Sequence, residues 1–523
     1  MPITSTSQAA GLGSSVQNEP FVFTPQVVPQ KIVIVGTYDP TKTDIVPNEL
    51  IQVFSPEQVG ALTGFGFMLH RLAEAAYIGS QGIETWIIPQ TEDALGTQGA
   101  ASIDFTGSLG EGGVISLYIG GILYRPVKVS VPPGATDDEI CALVVAAINA
   151  IKELPVTAAI NVTPEICDIT AKSKGLLWSN GITIAFNRGA GEALPPGIVA
   201  SVTQMAGGAA TYNIQPALDA LGIGDNKNEK FFTKLIHGYQ DADVWDDILN
   251  YVGPGDTKTG CYSELVHRPF QSLSGSKLPG DSGLSALITL ADGRKELDRA
   301  QGQIAVPGSF SMPEEIAAQA LGHAARIANI RPEQNYVDIT LEGIDPGDSA
   351  NRWTDFYDNR DLAVESGISP TIVQNQVVKM QNLVTYYRPD SVPPTSNAYA
   401  SYRDLAIIQN LLDSQFKAFN TEKWRNYTIV EDATRVTDPT ARQKVRDIQA
   451  VKDEDVALIK AWAALAWLYE TDFAIQNLSD PSAITIRAGT DGFDINNKVI
   501  LSGEGNIINI NTRIDTSIAV LSQ

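Results

Sequence analysis

Cysteine and histidine, which supply most protein ligands for zinc, are scarce in this sequence of 523 residues. Its three cysteines, Cys141, Cys167 and Cys261, include no C-x-x-C pair, and an odd number argues against a disulfide framework. The four histidines show neither the H-x-x-x-H nor the H-E-x-x-H spacing of a metal site. We therefore expect three reduced, buried thiols, no metal site and no metal cofactor.

Positive charge is also in short supply. The chain has 37 Lys and Arg against 60 Asp and Glu, which gives a net charge of −23 and an isoelectric point of about 4.6. Nucleic acid and anionic lipid both need a basic protein face, so we expect neither as a partner. An acidic exterior does keep a concentrated particle in solution.

A long uncharged apolar run is missing as well. The most apolar helix candidate, residues 456–475, is interrupted by Lys460, Glu470 and Asp472 and falls short of the ~20 residues that span a bilayer. The opening MPITSTSQAAGLGSS has neither the charged region nor the apolar core of a signal peptide. The sequence therefore predicts neither membrane anchoring nor export by a signal peptide.

Glycine-rich phosphate loops are not found either. The loop GPGDTKTG (253–260) has the wrong spacing for a P-loop, and GFGF near Gly64 lacks the third glycine of a dinucleotide site. An acidic cluster at 241–247 could bind a hard cation. However, carboxylates in the first turn of a helix are also favoured by the helix dipole, and we prefer that interpretation. We expect no nucleotide or other cofactor.

Two serine motifs suggest nucleophilic catalysis. GDSG (280–283) surrounds the catalytic serine of trypsin-like proteases, and GSFSM (308–312) distantly resembles a subtilisin turn, with its serine out of register. Such a serine needs a histidine and an aspartate held on a suitable fold, and the sequence shows no such framework. We expect no catalytic residues and no enzyme, and a serine hydrolase using Ser282 or Ser311 remains a remote alternative.

Regular α/β structure begins after the first 30 residues. The start of the chain is polar and then punctuated by prolines, which favour an extended arm. KIVIVG (31–36) and IETWIIP (83–89) are buried-strand patterns, with a helix between them that includes Leu69 and Leu72. Strand, helix and strand at this spacing predict a βαβ unit and a parallel sheet.

A β-rich block occupies residues 97–208. Short β runs flank a turn at Gly120-Gly121, and one helix opens with a capping box formed by Thr136 and Glu139. Helix-and-strand alternation resumes after the block and continues to about residue 340. We therefore predict a central α/β domain of residues 31–96 and 209–345, interrupted by an inserted β-rich domain of residues 97–208.

Both ends of the chain have the character of strands without a partner. Helices are predicted at 402–420 and 453–477, followed by β runs. Isoleucines then alternate with polar residues, as in a half-buried strand, and such a strand must pair or it invites aggregation. The predicted strand-exchange residues of the two arms are Phe21, Val22, Phe23, Val27, Ile508, Ile510, Ile514 and Ile518.

Several blocks of the chain resemble the tail sheath proteins of contractile phages, in particular the Mu-like branch. They cover most of residues 95 to 420 and include a segment, ESGISPTIVQNQVVKMQNLVTYYR, in which Gly367-Ile368 precedes a hairpin and the second strand ends in Thr385-Tyr386. The other blocks are GVISLYIGGILYRPVKVSV (113–131), LPVTAAINVTPEICDITAKSKG (154–175), VTQMAGGAA (202–210), ALITLADGRKELDRAQGQIAVPGSFSMPEEIAAQALGHAARI (286–327) and SYRDLAIIQNLLDSQF (401–416).

The resemblance implies a fold and a division of the chain. It implies an α/β core on a subtilisin-like scaffold without a catalytic triad, and an inserted β-rich domain that faces outward. A C-terminal α+β domain would lie next to a tail tube. Extended arms at 1–30 and 505–523 would leave the C-terminal domain at 346–504.

The resemblance also implies a function. Sheath subunits form hexameric rings stacked around a tail tube, and their arms add strands to neighbouring subunits. Contraction is then a rigid-body rearrangement that needs no nucleotide. The implied partners are the chain itself, a tail tube protein, and baseplate and tail terminator proteins, in a virion tail assembled in the bacterial cytoplasm.

Four basic residues suggest a further contact surface. Three alternatives to the phage sheath also stay open. Arg442, Lys444, Arg446 and Lys452 could face the tube or an acidic neighbour, or they could form a solvated helix face. Instead of a phage, the sheath could belong to a non-viral contractile injection system or a bacteriocin particle. Outside this class, the alternatives are the serine hydrolase and a cell-surface adhesion module.

Overall fold

The computed structural model describes residues 25–107, 110–120, 125–255, 257–354, 357–391, 398–487 and 491–503. The described chain divides into two compact units. We call residues 27–413 the large unit and residues 414–502 the C-terminal unit. Each is described by itself.

The large unit contains strands and helices in α/β order. Its strands are β1 (Lys31–Thr37), β2 (Ile51–Val53), β3 (Glu84–Gln90), β4 (Ala100–Gly107), β5 (Gly113–Ile119), β6 (Val127–Val131), β7 (Val156–Ile160), β8 (Ile166–Ala171), β9 (Ile184–Phe186), β10 (Ile198–Ala206), β11 (Lys234–His237), β12 (Gln271–Ser276), β13 (Gln301–Ala305), β14 (Thr340–Leu341), β15 (Ile368–Gln374) and β16 (Val377–Met380). Its helices are α1 (Pro56–Thr63), α2 (Met68–Ser80), α3 (Asp137–Ala150), α4 (Gln215–Ala220), α5 (Ala242–Val252), α6 (Gly280–Asp292), α7 (Pro313–Ala328) and α8 (Asp358–Glu365), and α9 (Tyr402–Phe419) continues into the C-terminal unit.

A nine-stranded sheet forms the centre of the large unit, in the order β14-β16-β15-β13-β12-β11-β1-β3-β2. The six strands from β15 to β3 run parallel, and the strands outside them are antiparallel. Parallel strands are covered on both faces, which explains why KIVIVG is almost wholly apolar and buried. The predicted βαβ unit is confirmed, because β1 and β3 pair in parallel with Ile32 opposite Thr85.

The connection order of the parallel strands places a topological switch point between β1 and β11. The chain runs from β1 outward to β3 on one side, and from β11 outward to β15 on the other. This is a doubly wound arrangement, in which ligands usually bind at the carboxyl ends of the strands beside the switch point.

The sheet continues beyond the predicted domain border at residue 345. Strand β15 pairs in parallel with β13, and β15 and β16 form the antiparallel hairpin that the resemblance implied. The second strand ends at Met380, however, and not at Thr385-Tyr386 as expected. The two-residue turn of the hairpin, Asn375-Gln376, has both φ angles positive, as a type I′ turn requires. The predicted border therefore cuts through the sheet.

A β-rich segment follows β3 and returns to the sheet before β11. Thr97 pairs with Ala209 where the segment leaves and rejoins the sheet, and we call this place its neck. The residues between them in sequence form one sheet of order β10-β4-β8-β7 and another of order β6-β5-β9. Helix α3 packs against both sheets. Its predicted capping box is confirmed: Thr136 Oγ1 accepts from the Glu139 N–H, and Glu139 Oε2 accepts from the Thr136 N–H. We call residues 97–209 the β-rich segment.

The C-terminal unit consists of short elements. They are β17 (Thr428–Ile429), α10 (Pro439–Arg442), β18 (Val445–Arg446), α11 (Ile448–Ala464), α12 (Thr471–Asn477), β19 (Ile484–Ile486) and β20 (Phe493–Ile495). Strands β17 and β18 pair in parallel, and β19 and β20 pair antiparallel. An isolated bridge joins Leu468 to Leu501.

The single helix predicted at 453–477 is wrong. Helix α11 ends at Ala464, Ala466 takes a φ of 57°, and α12 starts only at Thr471. The interruption brings Trp467 back over the helix end, where its N–H donates to the Trp462 carbonyl and its side chain is buried. No helix in the described part of the chain is long and apolar enough to cross a membrane.

Candidate functional site

The switch point is the usual ligand site of a doubly wound fold, and in this protein its own side chains occupy it. The indole N–H of Trp178 donates to the Gly238 carbonyl, just after β11, at 2.6 Å. Met68 Sδ lies 3.5 Å from the backbone nitrogen of Thr37, the last residue of β1. Trp178 and Met68 are 1% and 0% exposed, so they fill the crevice between the two strand ends.

A tyrosine pair extends this packing. The rings of Tyr212 and Tyr239 stack with centroids 4.4 Å apart. The Tyr239 hydroxyl donates to Gln90 Oε1 at the end of β3, and the Tyr212 hydroxyl donates to the Lys174 carbonyl. Burial raises the pKa of both phenols above its usual value, so both stay neutral donors. These hydroxyls are therefore committed to structural hydrogen bonds.

The β-rich segment covers the carboxyl edge of the sheet well beyond the crevice. Lys277, directly after β12, donates through Nζ to the Gly181 carbonyl at 2.7 Å. Arg188 binds both carboxylate oxygens of Asp345 at 3.2 Å and stacks 3.6 Å over the Phe310 ring, which follows β13. The edge that binds ligands in other doubly wound folds is thus an intramolecular contact.

Several strongly shifted titratable groups lie away from any surface. Burial lowers the pKa of Lys234 in β11 to about 7, and its Nζ donates to Gln271 Oε1. Burial raises the pKa of Glu314 to about 8, and Glu314 accepts hydrogen bonds from Gln240 Nε2 and the Gly275 N–H. Shifted pKa values often mark active sites. Both side chains are 0% exposed, however, so a substrate cannot reach them without local opening.

A buried ion pair joins α2 to α7 beside Glu314. Arg71 Nε donates to Glu315 Oε1 at 2.7 Å, and Arg71 Nη1 lies 3.1 Å from Glu74 Oε2. Burial raises the pKa of Glu315 to about 7, and Arg71 opposes that rise. The two neighbouring glutamates of α7 therefore have different partners: Glu315 is paired with a cation, and Glu314 accepts hydrogen bonds from neutral donors.

The two serines of the hydrolase alternative have different surroundings. Ser282 is exposed in the first turn of α6, whereas Ser311 is buried and its Oγ accepts from the Asp345 N–H at 2.9 Å. Among the described residues, no histidine forms a hydrogen bond with either serine. His70 and His237 instead accept backbone N–H groups through Nδ1.

The acidic cluster at 241–247 lies at the start of α5, as the helix-dipole interpretation predicts. Asp241 precedes the helix and Asp243 lies in its first turn. Asp246 forms an ion pair with Arg294 at 2.9 Å. Within the described ranges, His, Cys, Asp and Glu form no group of three or more that could hold a metal ion.

The predicted arm residues lie mostly outside the described chain. This holds for Phe21, Val22, Phe23, Ile508, Ile510, Ile514 and Ile518. Val27 is half-buried, and the next residue, Val28, is buried with its N–H donating to Asn410 Oδ1 at 2.8 Å. The base of the predicted N-terminal arm is therefore fixed to the large unit.

The four predicted basic residues lie on successive short elements of the C-terminal unit. Arg442 ends α10 and Lys444 follows it, and both are exposed. Arg446 in β18 donates to the carbonyls of Gln443 and Lys423, and Lys452 in α11 donates to Ser479 Oγ. The alternative of one solvated helix face does not fit, because only Lys452 is on α11.

The C-terminal unit also presents strand edges. In the described residues, the β17–β18 pair and the β19–β20 pair each stand as a two-stranded sheet. Two-stranded sheets leave the outer backbone groups of each strand available to a further strand. Sequence reasoning missed β17 and β18, because each is only two residues long, whereas β19 lies within a predicted β run.

Comparison with known proteins points to one class, the tail sheath proteins. No family model matches the chain. A curated relative is the Mu-like prophage FluMu tail sheath protein of Haemophilus influenzae, which is 23% identical over 419 residues that cover 79% of each chain. The predicted resemblance to Mu-like tail sheath proteins is confirmed by this relative.

Solved structures that are similar to this chain include sheath proteins. The sheath tail protein of Desulfitobacterium hafniense matches with a TM-score of 0.43 and 11% identity, covering 92% of this chain and 94% of that one. The sheath of the PVC extracellular contractile injection system, in its contracted state, matches with a TM-score of 0.41 and 8% identity, covering 98% and 99%.

Proposed function

We propose that the chain is a structural subunit of a contractile tail sheath. It polymerises as stacked hexameric rings around a tail tube and contracts to drive the tube through the target envelope. The observation that carries this proposal is the match to a Mu-like tail sheath protein across 79% of both chains. A match of that extent is not confined to one small widespread domain.

A structural role agrees with the packing of the switch point. Trp178 and Met68 fill the crevice where a doubly wound sheet binds ligands. Glu314, a carboxyl group whose pKa is raised to about 8 by burial, is wholly enclosed. We therefore propose that the chain is not an enzyme and that its subtilisin-like scaffold serves packing alone.

Polymerisation requires connections that survive large rotations of the subunits. Residues 1–30 and 505–523 would extend from one subunit and add strands to another. Strand pairs such as β17–β18 and β19–β20 offer backbone edges for such an addition. Backbone hydrogen bonds formed by an added strand tolerate reorientation of the rigid body behind it.

The remaining parts of the chain take roles according to their position. The α/β core of residues 31–96 and 209–345, extended by the β15–β16 hairpin, carries the β-rich domain of residues 97–208 outward. Residues after the hairpin, to 504, lie towards the tube, where Arg442 and Lys444 could meet an acidic neighbour. Contraction is a switch between two packings of rigid bodies, driven by new contacts between subunits.

The proposed partners are further copies of the chain, a tail tube protein, and baseplate and tail terminator proteins. The particle is a virion tail assembled in the bacterial cytoplasm. A sheath from a non-viral injection system or a bacteriocin particle has the same physical basis. Genes next to the coding sequence distinguish these: capsid and terminase genes indicate a phage.

Negative-stain microscopy of the purified full-length chain tests the proposal. We expect tubes with regular transverse striations, because a sheath subunit carries its own polymerisation contacts. A control incubation with a fluorophosphonate probe should leave Ser282 and Ser311 unlabelled. Dispersed monomers at every salt concentration, together with labelling at either serine, would replace the sheath proposal with the hydrolase.

A further inference from the structure

The β-rich segment contains one turn of π-helix, Leu176–Asn180, whose central residue is Trp178. Isolated π-turns are uncommon and often lie at functional sites. This turn begins after Gly175, whose φ of 99° suits glycine. The turn thereby directs the Trp178 indole out of the β-rich segment and into the switch point of the nine-stranded sheet.

The receiving surface closely fits the indole. The indole N–H donates to the Gly238 carbonyl at 2.6 Å. A Cβ atom at residue 238 would lie 2.9 Å from Trp178 Nε1 and 2.6 Å from Met68 Sδ, so glycine is the residue that this contact allows. Buried Trp side chains are large and need a partner for the N–H, and both requirements are met here.

Cationic side chains hold the segment on both sides of the indole. Lys172, from the β-rich segment, donates to the Phe65 carbonyl in the loop before α2, at 2.9 Å. Lys277, from the sheet, donates to Gly181 in the opposite direction, and Arg188 binds Asp345 beyond it. Hydrogen bonds to charged groups are among the stronger ones in proteins.

The neck of the β-rich segment would by itself permit a hinge. Its two chains, GTQG (96–99) and GGAA (207–210), are rich in glycine, and they pair through a single bridge between Thr97 and Ala209. The β-rich segment nevertheless belongs to the same compact unit as the nine-stranded sheet. One apolar cluster contains buried residues of the segment and of the sheet. The contacts at the carboxyl edge therefore decide whether the neck bends.

We propose that Trp178 locks the β-rich segment onto the α/β sheet by occupying its ligand crevice, so that the two move as one rigid body. The switch point thus binds part of its own chain in place of a small molecule. The lock is a property of the subunit and does not depend on the proposed function. In a contracting sheath, rotation would then take place between subunits and not at the neck.

The test compares Trp178→Phe and Trp178→Ala with wild type, using hydrogen exchange at residues 96–99 and 206–210 and limited proteolysis of the neck. The locked neck of the wild type should exchange slowly and resist cleavage. Trp178→Phe removes the N–H donor, and we expect neck exchange to rise about tenfold. Trp178→Ala also leaves a cavity, and we expect at least a hundredfold rise and release of a folded fragment.

Two further variants keep the test decisive. Trp86→Phe is the matched control. The Trp86 indole is half-buried in β3 and its N–H donates to Glu84 Oε1 within the same strand, away from the neck, so neck exchange should not change. If Trp178→Ala does not fold, the exchange and cleavage rates of Trp178→Phe and Lys277→Met decide the question. The proposed lock is refuted if the neck exchanges and is cleaved in both variants at the wild-type rates. It is also refuted if proteases cut the wild-type neck rapidly.

Discussion

At the scale of single residues, Glu314 and Glu315 show how burial alone differs from burial beside a cation. They are consecutive on α7 and each is at most 1% exposed. Glu315 meets Arg71, whereas Glu314 meets an amide side chain and a backbone N–H. A buried carboxylate without a cation is costly, so Glu314 keeps its proton to higher pH. The pKa of Glu315 is raised less, to about 7, because Arg71 opposes the effect of burial.

Glu314→Gln should change the pH dependence of stability. Burial raises the folded-state pKa of Glu314 from 4.5 to about 8, so between these values the folded state holds a proton that the unfolded state has lost. This contribution is complete below pH ~4.5 and is lost as pH rises through about 8. Urea titrations from about pH 5 to about pH 9 should show the variant gaining roughly 2 to 4 kcal/mol relative to wild type. A constant difference across this range would contradict the assignment.

Glu315→Gln should destabilise the chain above about pH 8, where Glu315 is ionised in the folded state. The substitution leaves Glu74 as the carboxylate partner of the buried Arg71 guanidinium, and breaking a buried pair typically costs roughly 3 kcal/mol. The same urea titrations measure the loss at about pH 9. An equal response of the two neighbouring variants would show that the cation has no influence on either carboxyl group.

At the scale of elements, the β15–β16 hairpin forms although only one of its two turn residues suits the conformation of the turn. Asn375 and Gln376 both have positive φ, and asparagine is well suited to this but glutamine is not. Glycine is the preferred second residue of a type I′ turn. The hairpin is therefore stable despite its second turn residue.

Gln376→Gly should raise the thermal midpoint of unfolding. The left-handed conformation costs glutamine roughly 1 to 2 kcal/mol, and the greater flexibility of glycine in the unfolded chain offsets part of this. We expect a net gain of roughly 0.5 kcal/mol, measured by calorimetry. Gln374→Gly, on the exposed end of β15, is the control and should lower the midpoint, because glycine weakens a strand.

Local patterns predicted some elements and missed others. The βαβ unit at 31–89 was predictable because its strands are continuous apolar runs close together in sequence. The break between α11 and α12 was not, because AWAALAWLYE contains neither Gly nor Pro and the turn depends on burying Trp467. The Trp178 contact joins residues 60 apart, and flanking glycines at 175 and 181 were the only local signal for it.

At the scale of the whole molecule, the central issue is how one subunit holds the next. Deleting residues 505–523 should leave a folded monomer that does not form sheaths, because the large unit keeps its own sheet and core. Light scattering would follow assembly, and circular dichroism would show that the fold is retained. Deleting residues 1–10, which precede the predicted arm strand, is the control. Long tubes from the chain that lacks 505–523 would refute the arm hypothesis.

Cryo-electron microscopy of the assembled full-length chain tests the central claim most directly. The account predicts six subunits per ring, with residues 505–523 of each subunit paired to a strand edge in the C-terminal unit of a neighbour. A reconstruction in which both chain ends pair within their own subunit, or in which the chain does not form rings, would contradict it.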